Sequence, residues 1–467
     1  MQPIQHVIVL MLENRSFDHM LGYLDHPTDP TFNGLTGNET NPMKNGSPVT
    51  VSPVANGQLP FDPSHLHLSV TEQLTRGPVP LRLANVNMDG FVINAENISG
   101  IHGPRVMECF PDHGLPVLTQ LSLEYAVADQ WFCSVPGQTW SNRNFAHAAT
   151  SDRRVDNKRY KLYGNTTIYE RLEAAGATWR VYHDGFPQVL VFWKLLMGNR
   201  PANFQSMSSF SAAVKANALP NYAFIEPQHF FSDSNSQHPG NNEKSNRDML
   251  AGEHLIWSVW NTLVSNPKVW AKTLLVITWD EHGGLYDHMK PKATVPPKSG
   301  MTSPKFDFKF DVTGVRVPTV FVSPWIKRGY VDHTVYDHAS IPKSVRKRFA
   351  PKKRKLSDRD EWAKSWWDTE GLWEQTMRED IPDIPEPAVP IELAARAEEL
   401  AMGPTDDENA MGWLAREVER VLERKADGVP VEVAVKEKQP KVMEEAPSFT
   451  TRAELEAYTE RVLEKIR

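Results

Sequence analysis

Cysteine is nearly absent from this chain: Cys109 and Cys133 are the only two in 467 residues. Each sits beside an aromatic residue, in Glu-Cys-Phe and Phe-Cys-Ser contexts, which reads as two reduced core thiols rather than a disulfide framework. Long apolar runs are missing too. No stretch approaches 18 uninterrupted apolar residues, which excludes a membrane-spanning helix. The opening Met-Gln-Pro-Ile-Gln-His has neither a basic segment nor a small-residue cleavage site, and Val7–Leu12 leads directly into charged residues. It reads as a strand, not a signal peptide, so the expected location is the cytoplasm or export by a route without a cleaved signal. Nor is there an excess of positive charge. The formal net charge is -7, and residues 351–467 carry 19 Lys+Arg against 28 Asp+Glu, leaving the first 350 residues nearly neutral. A nucleic-acid groove is not indicated. No internal repeat is present.

What is present is an ordinary globular composition, 40% hydrophobic and 23% charged, in a chain long enough for one large domain and an appendage. Short apolar runs rich in β-branched residues alternate with segments of helical spacing, the rhythm of an α/β sheet. Strands are expected at Ile4 to Leu12, Tyr125 to Phe132, Thr178 to His183, Tyr222 to Glu226, Thr273 to Asp280 and Val317 to Val322. Helices are expected at Val117 to Glu124, Ile168 to Ala174, Asp248 to Asn266 and Ile341 to Arg348. The polar stretches His26 to Pro60 and Asp287 to Thr313 read as loops that rim a site. Residues 1–350 form the expected catalytic domain, 351–390 a strap or linker associated with it, and 391–467 an acidic helical extension. In the extension two amphipathic helices, around Asn409 to Ala426 and Thr451 to Ile466, flank the polar stretch Lys436 to Pro447. Their apolar stripes are suited to self-association or docking.

Two clusters lie where strands end, the edge at which open α/β sheets bind ligands. Glu13-Asn14-Arg15-Ser16-Phe17-Asp18-His19 concentrates oxygen atoms on one turn. Glu13 offers a carboxylate to a divalent cation, and Asn14 an amide oxygen for metal or an NH2 for phosphate. The same residues also suit a simple strand-to-helix turn capped by Asn14 or Ser16. Asp280-Glu281-His282-Gly283-Gly284, followed by Asp287-His288, puts two adjacent acids at a strand end, and a bound cation would stabilise both ionised forms. The two glycines allow positive φ or close backbone approach; a charged surface turn is the alternative. A third segment, Ser134 to Arg143, reads as a tight loop. Thr139 there is a candidate nucleophile if a metal lowers its pKa, with Asn142 and Arg143 as donors to phosphoryl oxygens, against the alternative of a Ser/Thr-rich turn.

Taken in order, ENRSFDH at Glu13 to His19, T-x-x-N-R at Thr139 to Arg143, and DEHGG with the following DH at Asp280 to His288 resemble the phosphoesterase family. That family contains phosphatidylcholine-type phospholipases C and acid phosphatase A. Weaker matching stretches, Asp62 to His65, Met88 to Phe91, Glu226-Pro227 with His238-Pro239, and Tyr336 to His338, extend the likeness over about residues 1–390. The resemblance implies an alkaline-phosphatase-like α/β sandwich with a central, mostly parallel sheet flanked by helices. It implies a divalent metal ion (Ca, Mg, Mn or Zn) on Glu13, Asn14, Thr139, Asp280 and Glu281, with Thr139 doubling as nucleophile. Histidines that bind phosphate or protonate the leaving group would fall on His238, His65, His183 and His288. Ser141 stands where the family usually has proline, and Met289-Lys290-Pro291-Lys292 replaces a proline-rich stretch, which leaves the head-group preference open.

The expected activity is phosphate-ester hydrolysis, foremost of glycerophospholipids to diacylglycerol and a phospho-head group. The alternatives are an acid phosphatase of the same family and a non-catalytic lipid-binding or delivered toxin module. The substrate is a phospholipid or a small phosphate ester, and peripheral contact with a membrane surface accompanies the first reading. The 14 tryptophans suit either a core or a lipid-facing rim with a cation-π site for choline. A sulfatase is disfavoured, since no Cys-x-Pro-x-Arg stretch occurs.

Overall fold

A computed structural model describes residues 3–77, 79–157, 162–230, 233–390, 403–436 and 449–466. Its centre is an eight-stranded sheet in the order Tyr330–Asp332, Ala126–Ala128, Thr319–Val322, Thr273–Trp279, His6–Leu12, Tyr222–Glu226, Trp179–His183, Phe204–Ser206. Neighbours run parallel except at Thr319–Val322, which is antiparallel to both of its partners. The expected mostly parallel architecture is therefore present. Successive strand residues face opposite sides, and every residue of Thr273–Trp279 is buried, so both faces of the sheet are covered. Such a strand reads as one continuous apolar run, which is why it was visible in the sequence.

The expected elements at the sheet centre match to within a residue or two, and the differences lie at the edges. The run Tyr125 to Phe132 is two strands. Ala126–Ala128 stays in the main sheet, whereas Trp131–Phe132 leaves it to pair with Tyr336–Asp337. The three-residue edge strands Phe204–Ser206 and Tyr330–Asp332 are too short to generate a period. The stretch His26 to Pro60 is largely irregular but holds the hairpin Thr40–Pro42 with Pro48–Thr50. Ser134 to Arg143, read above as a loop throughout, is a loop only as far as Gln138; a helix, Thr139–Ala148, starts at Thr139. All ten of its residues are buried although most are polar, so it has no solvent-exposed face, and an amphipathic pattern could not reveal it.

Both cysteines are free and buried, as expected. None of the tryptophans is exposed, and Trp131, Trp279 and Trp366 are among the largest fully buried side chains; the core accounts for them, and a tryptophan rim does not exist. Among the described residues no helix is long and apolar enough to cross a membrane. The strap after Ala350 lies on the catalytic domain, where the Trp257 indole donates to Ile384 O at 2.9 Å. The helices Asp406–Ala426 and Arg452–Ile466 pack on each other, and their apolar residues Met411, Trp413, Leu414, Val418, Val462 and Leu463 belong to the same core cluster as the sheet. The stripes expected to serve docking or self-association are thus used on the chain's own body. Residues 391–402 and most of Lys436 to Pro447 lie outside the described residues.

Glu253, on the helix Arg247–Val264, shows how the layers are joined. Its fully buried carboxyl accepts the N–H groups of Val117 (2.7 Å) and Leu118 (3.1 Å) at the start of the helix Leu118–Glu124. Burial raises it from 4.5 to about 7 despite those two donors. The folded protein keeps a proton there that the unfolded chain has already released, so stability falls as pH rises between these values. Glu253→Gln, which accepts the same bonds without titrating, should remove that fall. Relative to it, wild type should lose about 3 kcal/mol between pH 4 and pH 8, measurable by urea unfolding at the two pH values.

Candidate active site

The register of the two central strands explains how distant segments meet. Leu12 lies opposite Trp279, so Glu13 and Asp280 leave the sheet side by side. The Asn14 N–H donates to Asp280 Oδ1 at 3.1 Å across 266 residues of sequence. Asn14 takes φ 58, and Gly283 and Gly284 take φ 61 and 75. A Cβ on Gly283 would lie 2.4 Å from Asn14 O, and one on Gly284 would lie 2.7 Å from Pro63 Cβ. The glycines therefore supply both positive φ and close approach, pressing the Asp280 turn against the Asn14 turn and the segment that carries His65. The other reading of the first turn holds as well: Ser16 caps the helix Phe17–Leu21, its Oγ accepting from His19 N at 3.2 Å.

Arg143, fully buried in the second turn of the Thr139–Ala148 helix, joins the two strand ends. Its Nε donates to Asp280 Oδ2 at 2.8 Å, its Nη2 to Met11 O and Leu12 O at 3.1 and 3.2 Å, and Nη2 lies 3.7 Å from Glu13 Oε1. Thr139 is the first residue of that helix, with Gln138 as N-cap. Its hydroxyl stands at the positive end of the helix and donates to Glu281 Oε1 at 2.8 Å. Asn142, expected to donate to phosphate, is committed elsewhere: its Oδ1 accepts from Val135 N at 3.0 Å and its Nδ2 donates to Gly137 O at 3.0 Å, which shapes the turn before Thr139. Ser141 lies in the first turn of the helix, where proline is also tolerated.

The four expected histidines are not equivalent. His65 and His238 lie together, ring centroids 6.0 Å apart. His65 reaches Asn14 Nδ2 (3.4 Å) and Glu281 Oε1 (3.9 Å). His238 Nδ1 accepts from Gly240 N at 3.0 Å, so the neutral ring carries its proton on Nε2. His183 ends the strand Trp179–His183, with Nδ1 on Gly185 O at 2.7 Å. His288 belongs to another buried cluster, pairing with Asp18 at 2.7 Å beside Asp287 and Arg316. There the guanidinium of Arg316 pairs with both acids, Asp18 at 2.6 Å and Asp287 at 3.1 Å.

Several residues that complete the site were passed over in the sequence. His229 bridges Glu13 (2.8 Å) and Glu226 (3.2 Å); the Glu226-Pro227 stretch three residues earlier was the available signal. His338 Nε2 sits 2.6 Å from Asp280 O. Asp407, from the C-terminal extension, comes within 3.3 Å of His65 Nε2, and nothing in the sequence around it marks it. A cavity of about 10 Å³ remains among Glu13, Thr139, His229, Phe230, Asp407 and Met411, room for about one water.

Charge is balanced within the cluster. Burial pushes Glu13 up, but His229 and Arg143 outweigh it and hold the carboxyl below its ordinary value. Burial lowers His229, yet Glu13 and Glu226 bring it up to about 9. Glu281 has only His65, 3.9 Å away, and no arginine against it: burial, Asp280 and Glu13 raise it well above the carboxylate range. Glu13 Oε2, Asn14 Oδ1 and Glu281 Oε2 are buried and make no hydrogen bond. Unsatisfied oxygens beside a carboxyl that cannot ionise alone fit a divalent cation, and the oxygen-only donor set suits a hard one. The described residues also contain two denser candidate groups, His65–His238–Asp407 and Asp18–Asp287–His288, each with ligand atoms within 4.8 Å of one another.

A buried hydroxyl at a helix N-terminus, paired acids and an arginine at the carboxyl edge of a parallel sheet suit a hydrolase of the phosphate-ester class. Residues 4–351 match the phosphoesterase family, and the chain belongs to that family. Among relatives in Arabidopsis thaliana, "Non-specific phospholipase C1" is 35% identical over 84% of this chain and 75% of that protein. "Non-specific phospholipase C6" is 36% identical over 86% and 78%. "Hemolytic phospholipase C" of Pseudomonas aeruginosa is 25% identical over 82% and 58%. A solved structure of murine ectonucleotide pyrophosphatase/phosphodiesterase 5 aligns at 10% identity and TM-score 0.33 over 56% of this chain and 95% of that one.

The contact at Gly283 gives a direct test. Gly283→Ala should cost at least about 2 kcal/mol and abolish activity, because the new methyl meets Asn14 O at a strained φ. Gly37→Ala, with the same sign of φ (86) but open space around it, should cost only about 1 kcal/mol. Thermal unfolding of both variants measures the difference.

Proposed function

We propose that this phosphoesterase is a phospholipase C that cleaves glycerophospholipids on the glycerol side of the phosphate, with Thr139 as nucleophile. The observation that carries the reading is the Thr139 hydroxyl, held 2.8 Å from Glu281 at the N-terminus of a buried helix, in a chain whose relatives are named phospholipases C. Thr139 Oγ1 attacks phosphorus, forming the Oγ1–P bond, as its proton passes to the Glu281 carboxylate, which would be ionised with a divalent cation in place. The bond from phosphorus to the glycerol oxygen breaks, and His238, with a proton on Nε2, or His65 protonates that oxygen as diacylglycerol leaves. Water then cleaves the phosphothreonine and releases the phospho-head group. Glu13, Asn14, Thr139, Asp280 and Glu281 would hold a divalent cation, which supplies charge neutralisation at the phosphoryl oxygens. Arg143 keeps Asp280 and Glu13 in register for it. His183 and His288 have no part in this scheme.

Thr139→Ala should lower the release of phosphocholine from phosphatidylcholine at least about 1000-fold. Wild type should lose activity in chelator and regain it with added divalent cation. Release of inorganic phosphate from p-nitrophenyl phosphate with no turnover of phosphatidylcholine would instead identify a phosphomonoesterase.

Contact with a lipid surface follows from the same reading. Leu66 and Leu68, just after His65, are 49% and 66% exposed, and Val79 is 41% exposed; Arg76, at the opposite end of the helix His67–Thr75, is exposed as well. Leu66→Ser/Leu68→Ser should reduce hydrolysis of vesicle-borne phospholipid severalfold while leaving a short-chain, monomeric phospholipid turned over at the wild-type rate. Equal loss on both substrates would count against a surface role for these leucines.

A further inference from the structure

Asp407 is the one carboxylate of the C-terminal extension that reaches the catalytic cluster among the described residues, and its three partners come from three different segments. Its Oδ2 lies 3.3 Å from His65 Nε2. Its Oδ1 accepts from Asn157 Nδ2 at 2.7 Å and from Gln138 Nε2 at 3.3 Å. Asn157 in turn accepts from Trp140 N at 2.8 Å through its Oδ1 and donates its own N–H to Gln138 Oε1 at 3.0 Å. Gln138 is the N-cap of the helix that begins with Thr139, and Trp140 is its second residue. One carboxylate therefore ties His65 to the turn that presents the nucleophile.

The helix that carries Asp407 is anchored where it enters the site. Thr405 and Glu408 form a capping box at its start, Glu408 pairs with Arg452 at 3.0 Å, and Trp413 packs on Trp140 with ring centroids 5.9 Å apart. Trp140 thus meets the extension twice, through its ring and, by way of Asn157, through its backbone. Removing the Asp407 charge would leave His65 Nε2 without its ion-pair partner and weaken the acceptor of the Asn157 and Gln138 amides.

Resting on the phospholipase reading, we propose that Asp407 is a positioning residue of the active site: it holds His65 in the orientation its catalytic role requires and couples that histidine to the Thr139 turn. The C-terminal extension is then a working part of the catalytic unit. Asp407 acts on His65 and on the Thr139 turn, so the effect falls on turnover rather than on substrate binding.

The test is a double-mutant cycle in the full chain with short-chain phosphatidylcholine. Asp407→Asn should lower kcat about 10- to 100-fold with KM changed less than about threefold. In a His65→Gln background the same substitution should cost at least about threefold less than in wild type, because the histidine it positions is already gone. Equal losses in the two backgrounds would overturn the coupling, and a rise in activity would overturn the proposal by showing that Asp407 blocks the site. Asp407→Glu, which keeps the charge, provides a second cycle if Asp407→Asn fails to fold, with the same non-additivity expected. Failure of the phospholipase reading itself is separately visible, as no turnover of short-chain phosphatidylcholine by the wild-type chain.

Discussion

The guanidinium of Arg143 lies fully buried between Asp280, Glu13 and the carbonyls of Met11 and Leu12, and the working edge of the sheet is organised around it. Removing one member of a buried ion pair of this kind costs about 3 to 5 kcal/mol, because the remaining charge stays buried without compensation. Arg143 has a second function by position. It sits four residues after Thr139 on the same helix, so the bonds that fix the guanidinium to the strand ends also fix where the hydroxyl points. The placement of the Thr139 hydroxyl is thus inherited from an ion pair.

Around that pair the site alternates acids and cations. His229 bridges Glu13 and Glu226, Arg143 bridges Asp280 and Glu13, and His65 stands between Glu281 and Asp407. Glu281 is the acid left over, with Thr139 and His65 near it and no arginine against it. That imbalance is a chemical statement: a buried carboxyl next to two other acids holds its proton until a positive charge arrives. The hydroxyl that donates to it and the unsatisfied oxygens of Glu13 and Asn14 lie on the same side of the problem.

Much of this was legible before the fold was known. The strands at the sheet centre are buried on both faces and therefore written as unbroken apolar runs, and the acids that matter directly follow two of them. Gly283 and Gly284 announced a turn that needed either positive φ or close approach, and they serve both. What failed to show were elements whose patterning carries no period. The helix of Thr139 is buried on every side, and the edge strands are three residues long. Asn142 was misjudged for a related reason: its residue type suits an oxyanion donor, and only the fold reveals that both ends of its amide are spent on the Val135–Gln138 turn.

His229, His338 and Asp407 mark the boundary between the two kinds of knowledge. By itself the sequence carried the class of chemistry through its resemblance to the phosphoesterase family, because the three motifs behind that resemblance are local patterns that short windows contain. The tertiary structure alone decided which charges face one another, since partners such as Asp407 and His65 are brought together by the packing of a C-terminal helix on Trp140. No local period or spacing records a contact of that range. Its cause is the shared burial of apolar residues hundreds of positions apart.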